Sequence, residues 1–271
     1  MNVAADLRKL GRSVTVAGMV GEDIFGDFVI GEARRLGIDA GGIMRSRRSC
    51  TSQTVIIPVR GEDRRYLHST GSNADFSLAD LDRAILDGAR VLYVGGYLAM
   101  PRFAPADLAD LFREARERGM VTVLDVVVPA GAQVPAAAIE PVLPYTSFFL
   151  PNEDEARVMT GCPDARAQAE RLGASTPDCV IVVTRGAEGC GAWHAGEWIE
   201  APAFRMESVD ESGAGDAFAA GLIAGVLEGW PLGRTLRFAA AVGASCTRAL
   251  GCTGGVFTME EALAFLETSC R

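Results

Sequence analysis

The sequence predicts an α/β fold of three layers, with a mostly parallel central sheet between helices and a small β flap. Two patterns carry that expectation. Short apolar runs bounded by turn residues alternate with amphipathic helical stretches, as a parallel sheet covered on both faces requires. One segment, residues 41–75, breaks the alternation and reads as a lid of hairpin type. With 271 residues, 49% of them hydrophobic and 23% charged, the chain can bury a full core as a single domain over 1–271.

The elements follow in order. SVTVAGMVG (13–21) reads as the first strand and FGDFVIGEARRLG (25–37) as the helix after it. TSQTVIIPV and RRYLHST, joined by the turn-like Gly61-Glu62-Asp63, have no helical stretch between them and form the expected flap. SLADLDRAILDG (77–88) reads as a helix, RVLYVGGYL (90–98) as a strand, and APADLADLFREARERG (104–119) as a helix. The strands VTVLDVVV, SFFLPN and CVIVVTRG alternate with the helical NEDEARVMTG and ARAQAERLG. AFAAGLIAGVL (217–227) is apolar all round, as befits a helix inside the core, and Gly229 and Pro231 end it.

Composition excludes several classes of function. A formal charge of -9 with no basic stripe argues against nucleic acid or an anionic membrane as partner. Seven cysteines without a CxxC pair, and two histidines without zinc-type neighbours, speak against a structural metal or a disulfide framework. The expected compartment is the cytoplasm, since no signal peptide opens the chain and its apolar runs are short and glycine-rich. Lys9 is the single lysine among 26 basic residues. A Walker A loop, a kinase strand lysine and a Schiff base are thereby excluded elsewhere in the chain.

Open parallel sheets bind ligands beyond the carboxyl ends of their strands. The residues there are Gly95-Gly96, Asp125, Asn152 with Glu155, and Thr184-Arg185-Gly186-Ala187-Glu188-Gly189. DESGAGDAFAAG (210–221) adds a second kind of site. Gly213, Ala214 and Gly215 turn the backbone just before a helix whose first N–H groups lack intrahelical partners, a place suited to an anion. Asp216 in that first turn stands where it can take a proton from an attacking hydroxyl. Its plainer role is to complement the helix dipole, worth about 0.3–1 kcal/mol. Asn152 and Glu155 likewise have the spacing of a capping box, and the threonine-glycine loop that of a strand-ending turn.

Taken together, the motifs resemble those of the ribokinase-like, or PfkB, carbohydrate kinases. DESGAGDAFAAG is similar to the family's second signature. NVAADLRKLG, VGEDIFGDF, RRLGID, PNEDEARVMTG, VTRGAEG and AAAVGASCTRALGCTGG occur in the family's order over essentially the whole chain. The resemblance implies ATP and Mg2+ as cofactors and Asp216 as the general base, with Gly213, Ala214 and Gly215 as the anion hole. It implies that Asn152 and Glu155 act near magnesium and the phosphates, Glu155 through metal-bound water. It also makes Thr184, Gly186 and Gly189 the nucleotide loop, and Ala240 to Gly255, with Gly243, the adenine-side wall. Asp210 and Ser212 correspond to a monovalent-cation site, K+ being the candidate, although Glu211 stands where the family has threonine.

At the sugar end the chain departs from the pattern. The family opens with a strand bearing an Asp and then Gly-Gly, whereas this sequence begins at Met1-Asn2-Val3-Ala4. The expectation is therefore an incomplete or shortened form that as written phosphorylates sugars poorly or not at all. Asn2, Asp23, Asn73 and Asp125 are the candidate substrate contacts, with Asp23 and Asn73 equally readable as turn residues. Arg45, Arg47 and Arg48 are expected to be solvated and the acceptor unphosphorylated. The expected activity is transfer of the ATP γ-phosphate to a sugar hydroxyl, with a homodimer through the flap as a possible assembly. The alternatives are a nucleoside acceptor and a non-catalytic nucleotide- or sugar-binding relative. An NAD-dependent oxidoreductase is disfavoured, because no Gly-x-Gly-x-x-Gly follows the first strand.

Overall fold

The computed structural model describes residues 1–57, 65–129, 131–134 and 138–269. The chain begins with α1 (Asn2–Lys9), β1 (Thr15–Gly21), α2 (Ile24–Arg35) and β2 (Asp39–Ser46), then forms a hairpin of β3 (Gln53–Ile57) and β4 (Arg65–Ser69). The expected turn at Gly61-Glu62-Asp63 lies outside the described residues. There follow β5 (Val91–Val94), α3 (Pro105–Glu117), β6 (Val121–Leu124), β7 (Phe148–Phe149), α4 (Glu153–Thr160) and α5 (Ala165–Gly173). The chain continues with β8 (Val180–Thr184), β9 (Cys190–His194), β10 (Glu197–Ala201), α6 (Ala214–Leu227), α7 (Leu232–Cys246) and α8 (Met259–Thr268).

The central sheet has six strands in the order β10-β9-β8-β7-β6-β5. β5 to β8 run parallel, and β9 and β10 close one side as an antiparallel meander. Strand alternation makes the layers. Val123, Val180 and Val182 face one core, shared with α1, α6, α7 and Ala262 of α8. Leu124, Phe149, Ile181 and Val183 face the other, shared with α3, Ala156 of α4, and Ala165 and Ala169 of α5. Helices therefore cover both faces, which is the predicted three-layer arrangement. Within the first of these cores α6 lies fully inside, as its lack of a polar face requires: every residue from Ala217 to Gly225 is buried.

β1 and β2 form a separate parallel pair connected by α2, with Ala4, Ala33 and Ile38 as their own small core. β3 and β4 pair antiparallel, and β3 is exposed along its length. Among the described residues no helix is long and apolar enough to cross a membrane.

The structure differs from the sequence pattern in two places. The stretch 77–88 is not one helix but two short 3-10 turns, Leu78–Asp80 and Arg83–Leu86. Ser77 and Asp80 close a capping box around the first, and Asp82 accepts the N–H of Ala84 at the second. These side chains thus restart the backbone where a helix would continue it. β2 carries no apolar alternation in its sequence, Asp39-Ala40-Gly41-Gly42-Ile43-Met44-Arg45-Ser46. It becomes a strand by pairing with β1, a contact that local pattern does not encode.

Candidate active site

The first turn of α6 organises the site. Gly213, its N-cap, has φ +84°, and a Cβ there would lie 2.4 Å from the carbonyl oxygen of Cys252. Only glycine combines that conformation with that approach. Beyond it the helix leaves its first N–H groups without carbonyls four residues earlier. Gly215 is exposed, and beyond its own helical turn nothing lies within 4 Å of where a Cβ would stand. An anion can approach the backbone there, and the aligned peptide dipoles favour its charge.

Asp216 is in the same turn, partly exposed. Its Oδ2 accepts a hydrogen bond from Asn2 Nδ2 at 2.9 Å, across the packing of α1 on α6. Asp125, at the end of β6, is close enough that Asp216 and Glu155 both act on it. Burial first, then Asp216 and Glu155, push its carboxyl up to about 7, against a 2.6 Å hydrogen bond from Tyr93 Oη that favours the ionised form. The Tyr93 hydroxyl is itself pushed well up, by burial and then by the Asp125 charge. Asn2, Asp125, Glu155 and Asp216 are thus brought together from four separate parts of the chain. Tyr93 was not singled out by the sequence, although it lies at a strand end two residues before Gly95.

Asn152 and Glu155 form a complete capping box. Asn152 Oδ1 accepts the Glu155 N–H at 2.8 Å, and Glu155 Oε2 accepts the Asn152 N–H at 2.9 Å. Glu155 Oε1 lies 3.4 Å from the N–H of Val128, and burial raises its carboxyl above the ordinary range. A parallel bridge joins Asn152 to Thr184, so the ends of β7 and β8 bring these two motifs side by side. Beyond Thr184 a 3-10 turn spans Gly186–Glu188, and the Arg185 N–H reaches the Gly189 carbonyl at 2.8 Å. Gly189 has φ +87°, and a Cβ there would sit 2.2 Å from the Ala201 carbonyl oxygen. Arg185 pairs with Glu200 at 3.0 Å.

The remaining predicted residues lie as follows. Asp210 accepts the N–H groups of Ser212 (2.9 Å) and Gly251 (3.0 Å), tying the loop before α6 to the one after α7. Gly243 is buried where α7 packs on the first turn of α6, 3.1 Å from the Ala214 carbonyl oxygen measured from a would-be Cβ. A groove of about 320 Å³ lined by Glu207, Val209 and Arg248 opens beside the end of α7. Asp23 caps α2 through the Gly26 N–H and takes both the N–H and the hydroxyl of Thr51, which hold its carboxyl below the usual range. Asn73 donates to Ser52 Oγ at 3.1 Å. Asp23 and Asn73 are therefore engaged at the base of the hairpin. Arg45, Arg47 and Arg48 pair with Asp27, Glu22 and Asp75.

Among the described residues no three His, Cys, Asp or Glu side chains could hold a metal ion together. Glu155, near enough to act on the Asp125 carboxyl, is a single carboxylate of the kind that suits an ion which keeps its waters and takes its other oxygens from phosphates, as Mg2+ does.

The model of the pfkB family of carbohydrate kinases matches residues 1–258. Fructokinase-2 of Zea mays is 27% identical over 92% of this chain and 78% of its own length. Adenosine kinase of Saccharomyces cerevisiae is 25% identical over 80% of this chain and 66% of its own. An E. coli chain solved with ATP and Mg2+ has the same fold, with TM-score 0.82 and 21% identity over 98% of this chain and 87% of that one. With residues 1–258 matched, the chain belongs to the pfkB family of carbohydrate kinases, phosphotransferases that act on a hydroxyl.

Proposed function

We propose that this protein transfers the γ-phosphoryl group of ATP to a hydroxyl of a sugar, with Asp216 as general base. The observation that carries the reading is the side-by-side placement of an anion-binding helix N-terminus and an oriented carboxylate. The anion hole of Gly213, Ala214 and Gly215 would hold the transferring group while Asp216 stands next to it, fixed by Asn2.

In the reaction Asp216 takes the proton of the acceptor hydroxyl as its oxygen attacks the γ-phosphorus in line. The bond from phosphorus to the bridging oxygen breaks, and ADP leaves with that electron pair. The backbone N–H groups of α6 meet the negative charge on the phosphoryl oxygens. Asn152 and Glu155 would orient the waters of a magnesium ion, which neutralises phosphate charge when bound. Thr184, Gly186 and Gly189 would line the nucleotide phosphates, and the adenine would lie in the groove beside Arg248. Asp125 and Asn2 would contact the acceptor. Asp23 and Asn73, engaged with Thr51 and Ser52, would shape the base of the hairpin that covers it. Asp210 and Ser212 would fix the loop at which a monovalent cation such as K+ could act. The three arginines are spent on carboxylates, which favours an acceptor without phosphate.

The hairpin of β3 and β4 is proposed as the lid within residues 41–75 of one domain, the part up to Ser46 belonging instead to β2 and its pairing with β1. Exposed Val55 (56%) and Leu67 (65%) on it suit pairing with a second copy. The compartment proposed is the cytoplasm. A nucleoside acceptor is the second reading, because adenosine kinase is among the similar proteins. The test is ADP release with Mg2+-ATP over hexoses, pentoses, deoxy-keto acids and nucleosides. Turnover on a sugar that Asp216→Asn sharply reduces is the expected result. ATP binding without turnover on any acceptor would make the protein a non-catalytic relative.

A further inference from the structure

Asp6 lies one helical turn after Asn2 on α1, so both face α6. It is fully buried, and neither carboxylate oxygen has a hydrogen-bond partner among the described residues. Such a group is costly to bury unless it has a role or holds a proton. The ionisable groups bearing on it are Asp216 from α6, the Cys246 thiol from α7, and, on its own element, Lys9 and the Met1 amino group. Lys9 is spent on the carbonyl oxygens of Thr253, Gly254 and Val256 at 2.5, 3.3 and 3.4 Å, and the Cys246 sulfur lies 3.3 Å from the Ser212 carbonyl oxygen. Among the described residues no cation is therefore in direct contact with this carboxyl.

We propose that Asp6 is a pH-sensitive group behind the phosphoryl-transfer centre, silent while it holds its proton and weakening turnover when it ionises. The inference rests on the reading of Asp216 and the α6 N-terminus as that centre. Burial, and then the Asp216 charge, push the Asp6 carboxyl up to about 7, while Lys9 and the Met1 amino group oppose the shift. At lower pH Asp6 is neutral, and Asp216 is the one charge of the pair beside the anion hole. At higher pH a second buried negative charge stands behind the same helix N-terminus. There it opposes the phosphates that the helix dipole attracts, with little water to screen it. Asp125 also bears on Asp216 and has its carboxyl near 7, so it is the group from which Asp6 must be separated.

The experiment is the pH profile of kcat/KM for ATP from pH 5.5 to 9, each protein scaled to its own value at pH 6. The parent should fall roughly tenfold by pH 8.5, the size expected of one added charge at short range. Asp6→Asn should lack the fall and Asp125→Asn should keep it. An Asp6→Asn profile that superimposes on the parent's, or a flat parent profile, would overturn the proposal. Calorimetry of ATP binding to the parent and to Asp125→Asn at pH 7.5, in buffers of different ionisation enthalpy, needs no change at Asp6. Net proton uptake in both is expected, and its absence from both overturns the idea. Turnover of Asp216→Asn at the parent's rate would instead refute the base itself, a result separate from these.

Discussion

Asn2 and Asp216 stand 214 positions apart in the chain and share a 2.9 Å hydrogen bond. The bond joins the first turn of α1 to the first turn of α6, so the packing of the two helices also orients the carboxylate. A side chain acting on Asp216 is therefore held by the core, not by a loop.

Replacing Asp216 with Asn should leave ATP affinity near the parent's and cut kcat by a factor on the order of 10²–10⁴. Isothermal titration and ADP-release kinetics on the same preparation separate the two effects. An unchanged kcat would leave Asp216 with its dipole role alone.

Asn2→Ala removes one charge-assisted bond to Asp216. Such bonds are worth about 1.5–3 kcal/mol, which predicts a fall in kcat/KM of roughly 10- to 100-fold with the helix otherwise intact. Circular dichroism should show the parent's helix content, and a kcat/KM within twofold of the parent's would mean that the bond does not orient the base.

Glu155→Gln separates the cap from the metal. Gln can still reach the Asn152 N–H, so the melting temperature should hold. The Mg2+ concentration for half-maximal activity should rise several-fold, because a neutral amide orders metal-bound water less well. A magnesium titration with unchanged midpoint would assign Glu155 to the capping box only.

The raised carboxyl of Asp6 also has a sign in stability. Its folded value of about 7 lies above the ordinary 3.8, so the folded protein holds a proton that the unfolded chain releases. The stability this lends is complete below about pH 4 and is lost as pH climbs through about 7, by on the order of 4 kcal/mol at most. Asp6→Asn should therefore raise the melting temperature more at pH 8 than at pH 5, relative to the parent. Equal shifts at both values would show that the group does not titrate in this range.

Gly213→Ala should be poorly tolerated. It places a Cβ 2.4 Å from the Cys252 carbonyl oxygen at φ +84°. A loss of at least about 1 kcal/mol of stability is expected, together with weakened ATP binding, as backbone strain and displaced N–H groups require. Denaturant melts and ATP titration would show it, and wild-type values in both would remove the anion hole from the reading.

The layered fold was legible because its signals are local. Val180 to Val183 alternate between two cores, and α6 is apolar on every side because it is buried on every side. The motifs were legible for the same reason: Gly213 before Asp216, and Asn152 before Glu155, are short patterns whose geometry depends on adjacent residues. The two short turns at 77–88 depart from the helical pattern because the Asp80 carboxylate takes the Ser77 N–H and Asp82 takes the Ala84 N–H, local bonds that helical periodicity does not record.

What the sequence alone determined is the class of fold, the family resemblance and the two short motifs at 152–155 and 210–221, since each is written in contiguous residues and their intrinsic conformational preferences. The tertiary structure decided which groups act on one another. It buried Asp6 beside Asp216, joined Asn2 to Asp216, set Tyr93 against Asp125, and turned Asp23 toward Thr51. Burial and charge coupling depend on which distant segments pack together, and no local pattern in the chain carries that information.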